Sequence, residues 1–154
     1  MADALIVSVM ETVDVGAEPD IVLCSLARAL RSALLSRRDG ARIYAGTYVM
    51  GENVLTVADA VLTALLRKGL DPRIATDAMF NLVYYVLGFC IEEQGFSERW
   101  GEETDTSVLR RQFVAATAER FPALSQCAEP ILAGSFDDRF ERGLVTFLDG
   151  LSSR

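Results

Sequence analysis

The side chains with the widest chemical range in this chain are Tyr44, Thr47, Tyr48, Asn81, Tyr84 and Glu92, carried on two segments that otherwise read as apolar helix. Phenols, a hydroxyl and an amide both donate and accept hydrogen bonds, and a carboxylate accepts them. A carboxylate whose pKa is raised by burial can act as a general base with a tyrosine as donor. If the chain is an enzyme, Glu92, Tyr44 and Tyr84 are therefore its catalytic candidates. As a binding site, the same groups would form the polar lining of a cavity among Met50, Phe80, Phe89 and Phe113. On residue types alone these aromatics are better read as the core of a helical domain. Glu92 and Glu93 are neighbours, so their directions on a helix diverge and one of them belongs to the surface. Trp100 is the one tryptophan, set in an acidic loop, where it either closes over a ligand or covers the edge of the core.

What the chain lacks narrows the chemistry further. It has no histidine, which removes the commonest metal ligand and the usual general base together. Cys24, Cys90 and Cys127 are widely spaced with no Cys-x-x-Cys, and read as reduced, buried small hydrophobes. No metal and no cofactor are expected. Fifteen Lys and Arg against 22 Asp and Glu leave a net charge of -7, which repels a phosphate backbone, so direct nucleic acid binding by this chain is not expected. The densest basic group, Arg28, Arg31, Arg37 and Arg38, reads as the solvated face of one amphipathic helix. Asp3 stands where a signal peptide needs positive charge, and Ala4 to Met10 is too short to span a membrane. The expectation is a cytoplasmic chain with no membrane partner.

Elements that could position these residues are helical throughout. At 154 residues with 51% hydrophobic content, the chain is sized for one all-α, antiparallel domain of about seven helices. Apolar spacing predicts helices over 1–13, from Asp20 to the Asp39-Gly40 turn, over 41–47 and over 52–68. Gly69 then caps, and Asp71-Pro72 opens a long helix to about 94. Helices follow from Thr106 toward Phe121, with Val108, Leu109, Phe113 and Ala116 inward, then over 124–133 and over 136–152. The stretch Ala78 to Ile91 is apolar nearly all round, so it should serve a subunit interface as well as a pocket.

Three islands carry a family likeness. Arg38-Asp39-Gly40-Ala41-Arg42-Ile43-Tyr44-Ala45-Gly46-Thr47 is the first, Leu87-Gly88-Phe89-Cys90-Ile91-Glu92-Glu93-Gln94 the second, and Phe140 to Leu151 the third. In this order and spacing they resemble the ligand-binding and dimerisation domain of tetracycline-repressor-like transcriptional regulators. The resemblance implies a homodimer whose long and final helices form a four-helix interface. It also implies a ligand pocket that includes Tyr44, Thr47, Tyr84 and Glu92. That family places a three-helix DNA-binding head ahead of the first island. Almost no sequence precedes it here, so the expectation for 1–154 is a sensor and dimer half without the head.

The departures bear on the ligand. Histidines of the tetracycline-binding members that match Tyr44 and Tyr84 are replaced, and the Arg-Pro after the family's threonine is Tyr48-Val49. Tetracycline and magnesium are therefore not carried over. Two tyrosines suit a hydrophobic or aromatic small molecule. Ligand sensing for a transcriptional regulator is the first functional expectation. The alternative is a headless member acting as a ligand scavenger, or as a cofactor-free enzyme on a natural-product-like substrate.

Overall fold

Helix α2 (Pro19–Leu35) sets the frame, because its apolar residues recur at three and four and its first turn starts on a proline whose missing N–H costs nothing there. Its stripe of Leu23, Leu26, Ala27, Leu30 and Leu34 is buried as expected. Against it pack α4 (Glu52–Arg67) and α5 (Pro72–Trp100), which also pack on each other. The computed structural model describes residues 2–45, 50–100 and 106–152, with the side chains of 99, 100 and 106 outside that description. Every regular element among the described residues is helical.

The expected helix over 1–13 is two pieces. Helix α1 (Ala2–Leu5) ends where Ile6 turns into the core, and a 3-10 turn (Val9–Thr12) follows. Asp3 is the reason the first piece stays put: its carboxylate accepts the Val54 N–H at 3.0 Å and the Asn53 amide at 2.8 Å. Gly51, at the head of α4, has no side chain to cap with, and a Cβ there would stand 2.2 Å from the Asp3 carboxyl carbon. The first turn of α4 is thus capped by a residue fifty positions earlier. At its other end Gly69 takes φ 90, and the Leu70 N–H reaches back to the Leu65 carbonyl, a glycine-dependent stop. Arg67 donates to the carbonyls of Val15 and Ala17 at 2.9 and 3.0 Å, which ties down the loop before α2.

Asp71 caps α5 by accepting the Arg73 N–H at 2.9 Å. The helix runs on to Trp100, beyond the 94 expected, since nothing after Gln94 breaks it. Helices α6 (Thr106–Thr117), α7 (Pro122–Gln126) and α8 (Ala128–Ala133) follow, and α9 (Phe136–Ser152) returns along α5 with Phe140, Leu144 and Leu148 buried. Several inward expectations fail in α6: Val108 and Ala116 are exposed, Leu109 and Phe113 half-buried. Cys127 is exposed as well, at a junction of two short helices with no core beneath it, whereas Cys90 is buried and Cys24 half-buried. Burial pushes the Cys90 thiol up to about 12, so it stays protonated.

Candidate functional site

The Arg-Asp-Gly turn exists because of two backbone constraints. Asp39 has φ 56, the left-handed region that Asp tolerates, and a Cβ on Gly40 would stand 2.2 Å from the Leu34 carbonyl oxygen. From α5 the Gln94 side-chain amide donates to the Leu34 and Arg37 carbonyls at 3.2 and 2.9 Å, capping the end of α2. Helix α3 (Gly40–Tyr44) starts from this fixed point and packs on α1, α2 and α5. Tyr44 is therefore half-buried against the core. Burial raises its phenol above the ordinary value, with the Asp3 carboxylate adding to the shift, so it remains a hydrogen-bond donor.

On α5 the structure gathers Phe80, Asn81, Tyr84 and Glu92 along one exposed stripe. Phe80 is 47% and Tyr84 63% exposed, and their rings stack with centroids 6.0 Å apart. Between Tyr84 and Glu92, at the same four-residue step, Gly88 leaves an open notch with no heavy atom within 4 Å of where its Cβ would stand. The stripe is thus an exposed face with two stacked rings beside open space at Gly88. Phe89, by contrast, belongs to the aromatic stack of Tyr85, Phe136 and Phe140. Met50 is exposed ahead of α4, and Phe113 is half-buried in α6. Thr47, Tyr48 and the Trp100 side chain lie outside the described residues. Within one chain Glu92 is exposed, so the burial that a general base would need is not supplied there.

Glu93 is the inward member of the pair, and it is committed. Arg31 donates to both its carboxylate oxygens, at 2.7 to 3.0 Å, and to Asp137 at 2.7 Å. This corrects the expectation of a solvated arginine face at Arg31 alone, whose side chain is only 12% exposed and lies over the Phe140 ring at 4.9 Å, while Arg28, Arg37 and Arg38 are exposed. Arg28 makes a second two-armed pair with Glu141, at 2.8 and 2.6 Å. A signal for this network was present in the sequence. Arg31 is four residues after Ala27 and one after Leu30, at the edge of the buried stripe, where a solvated residue is out of place.

Three surface hollows lie away from the tyrosines. One of about 230 Å³ has Met10, Val22, Asp59 and Ala64 among its walls, and the others, of about 320 and 360 Å³, lie beside Arg38 and Glu98 and beside Asp20 and Lys68.

Comparison with known proteins adds a family and several relatives. The family described as "Tetracyclin repressor-like, C-terminal domain" matches residues 21–154. The tetracycline repressor protein class A from transposon 1721 of Escherichia coli is 34% identical over 128 residues, 83% of this chain and 55% of its own length. The chain thus spans about half the length of that curated relative. A solved structure of a possible TetR family transcriptional regulator from Streptomyces coelicolor A3(2) superposes with a TM-score of 0.83 at 33% identity, covering 99% of this chain and 75% of that one. The structure of TetR(class A) in complex with 5a,6-anhydrotetracycline and magnesium gives 0.66 at 28% identity, covering 99% and 74%.

The magnesium of that last complex has no matching ligand set here. Tyr44 and Tyr84 occupy the two positions where the resemblance places histidines, and among the described residues no three His, Cys, Asp or Glu side chains converge on one point. The residues present do not fit the metal.

Proposed function

Because the chain belongs to the family of tetracycline repressor-like C-terminal domains, we propose that it is the ligand-sensing and dimerisation part of a cytoplasmic transcriptional regulator. Its ligand is an aromatic, largely apolar organic molecule, bound without a metal by the surfaces of α3 and α5. The observation that carries this reading is the exposed face of α5, where the stacked rings of Phe80 and Tyr84 stand beside Asn81 and the open space at Gly88. Rings left in water beside a helix face that is core call for an aromatic occupant. Tyr44 completes the site from α3 as a protonated donor, joined in this reading by Thr47, Tyr48 and Trp100.

Two copies pair through α5 and α9. That arrangement is supported by the length of apolar helix, 72–98, of which 28% of the most apolar window is buried within one chain. A second copy covers the remainder and closes the site. Binding then works by population shift: a ligand that fits one dimer geometry better than another draws the ensemble toward it.

The test is a panel of planar aromatic compounds, with anhydrotetracycline and magnesium as a control, screened by thermal shift and by fluorescence of Trp100. An apolar aromatic compound is expected to raise Tm by mass action in the presence of a chelator. Tyr84→Ala should shrink that shift several-fold while leaving the empty protein within about 0.5 kcal/mol of wild type, as suits an exposed side chain. A Tm rise seen only with magnesium would overturn the metal-free reading.

A further inference from the structure

Helices α6 to α8 form an arm that leaves the body after α5 and rejoins it at α9. Its packing is chiefly internal: α6 rests on α7 and α8, α7 on α8, and Arg110 pairs with Glu129. Among its described side chains, Thr117 alone is buried. An element with so little burial has few contacts of its own to fix its attitude against the body. The two roots must do that instead.

Both roots meet at one guanidinium. Glu93 lies in the last third of α5, and Asp137 in the first turn of α9, just after Ser135 caps that helix by accepting the Asp138 N–H at 3.0 Å. Arg31, from the last third of α2, bonds the first through Nε and Nη2 and the second through Nη1. The Phe140 ring beneath it, itself packed against Tyr85 and Phe89 at 5.4 Å, fixes the plane of the fork. Arg139 adds a tie by donating to the Ile131 carbonyl at the end of α8, so motion of the α9 root is passed directly to the arm.

We propose that Arg31 is a positioning residue that holds both roots of the arm, so that α2 sets the attitude of α6 to α8. Since α2 leads through the Arg-Asp-Gly turn into α3, which carries Tyr44, one side chain connects the helix before that turn to a surface element on the far side of the sequence. The inference stands on this geometry whether or not the ligand reading holds.

Amide hydrogen exchange on the whole chain, read by mass spectrometry, tests it. Asp137→Asn removes one anchor, whose carboxylate is 81% exposed, so the fold is not at risk; Glu93→Gln removes the other. Each is expected to speed exchange across 107–133 by about three- to tenfold, while 22–34 and 57–65 keep wild-type rates. Arg31→Lys retains the charge but cannot span both carboxylates, and should match the Glu93→Gln/Asp137→Asn double variant. Unchanged exchange in the arm for all of these, or equal acceleration of arm and core, would overturn the proposal.

Discussion

Single residues decide more here by what they are bonded to than by what they are. Glu92 and Glu93 are chemically identical, yet one is free to face a ligand and the other is spent on Arg31. Glu141 is a third case. The Arg28 hydrogen bond holds its carboxyl below the usual carboxylate range, against the small opposing effect of burial. A folded-state pKa below the unfolded one contributes stability that is present at neutral pH and lost as pH falls through the folded value. Glu141→Gln should therefore lower stability at pH 7 by at most about 1 kcal/mol, the scale of an exposed pair, and flatten the decline below about pH 5. Urea titrations at pH 7 and pH 3 check both arms. An equal loss at the two pH values would mean that packing, not charge, explains it.

At the scale of elements, α5 and α9 are joined by one close fit. The Tyr85 hydroxyl donates to the Phe140 carbonyl at 2.7 Å, and a Cβ on Gly143 would stand 2.4 Å from that oxygen. The ring is wedged between Phe89 and Phe140 and cannot swing away. Gly143→Ala should cost about 1 to 3 kcal/mol through overpacking, despite the better helix propensity of alanine. Tyr85→Phe in the same chain, which removes the clashing oxygen, should recover part of it; thermal melts of the single and double variants decide. A second fit lies at the other end of α5. Gln94→Leu strips the Leu34 and Arg37 carbonyls of their donor and should cost about 1 to 2 kcal/mol, measured the same way.

Local signals explain why some elements were readable and others not. The start of α5 at Asp71-Pro72, the stop at Gly69 and the span of α9 are written in capping residues, which act within a turn or two of themselves. The break after Leu5 is not, because there Ile6 turns into a core and Asp3 bonds a helix that lie far away in sequence. The same divide runs through the candidate site. Tyr44, Tyr84 and Glu92 are candidates through family likeness, and the sequence already carries that likeness. The commitment of Glu93, the burial of Arg31 and the exposure of Cys127 depend on which helices meet, which periodicity within one helix does not encode.

At the scale of the molecule, apolar surface remains to be covered. Besides Phe80 and Tyr84 on α5, Val145 on α9 is 53% exposed. Val145→Glu leaves the buried Phe140, Leu144 and Leu148 untouched, so the single chain should keep its helical circular dichroism. In the dimer the new charge would be desolvated without a partner, and light scattering at micromolar concentration should report monomers. A wild-type protein that scatters as a monomer at that concentration would remove the basis for pairing.

The tie from Asp3 to α4 also separates the unit that folds from the stretch that is recognisable by descent. The match to the family model starts at residue 21, but Ile6 and Val9 are each 1% exposed within the core, and the Asp3 carboxylate accepts the Val54 N–H at the head of α4. A polypeptide trimmed to the region of likeness would lose a helix cap and two core side chains, together worth several kcal/mol, comparable to the whole margin by which a domain of this size stays folded. Where ancestry becomes visible is thus a poor guide to where this protein can be cut.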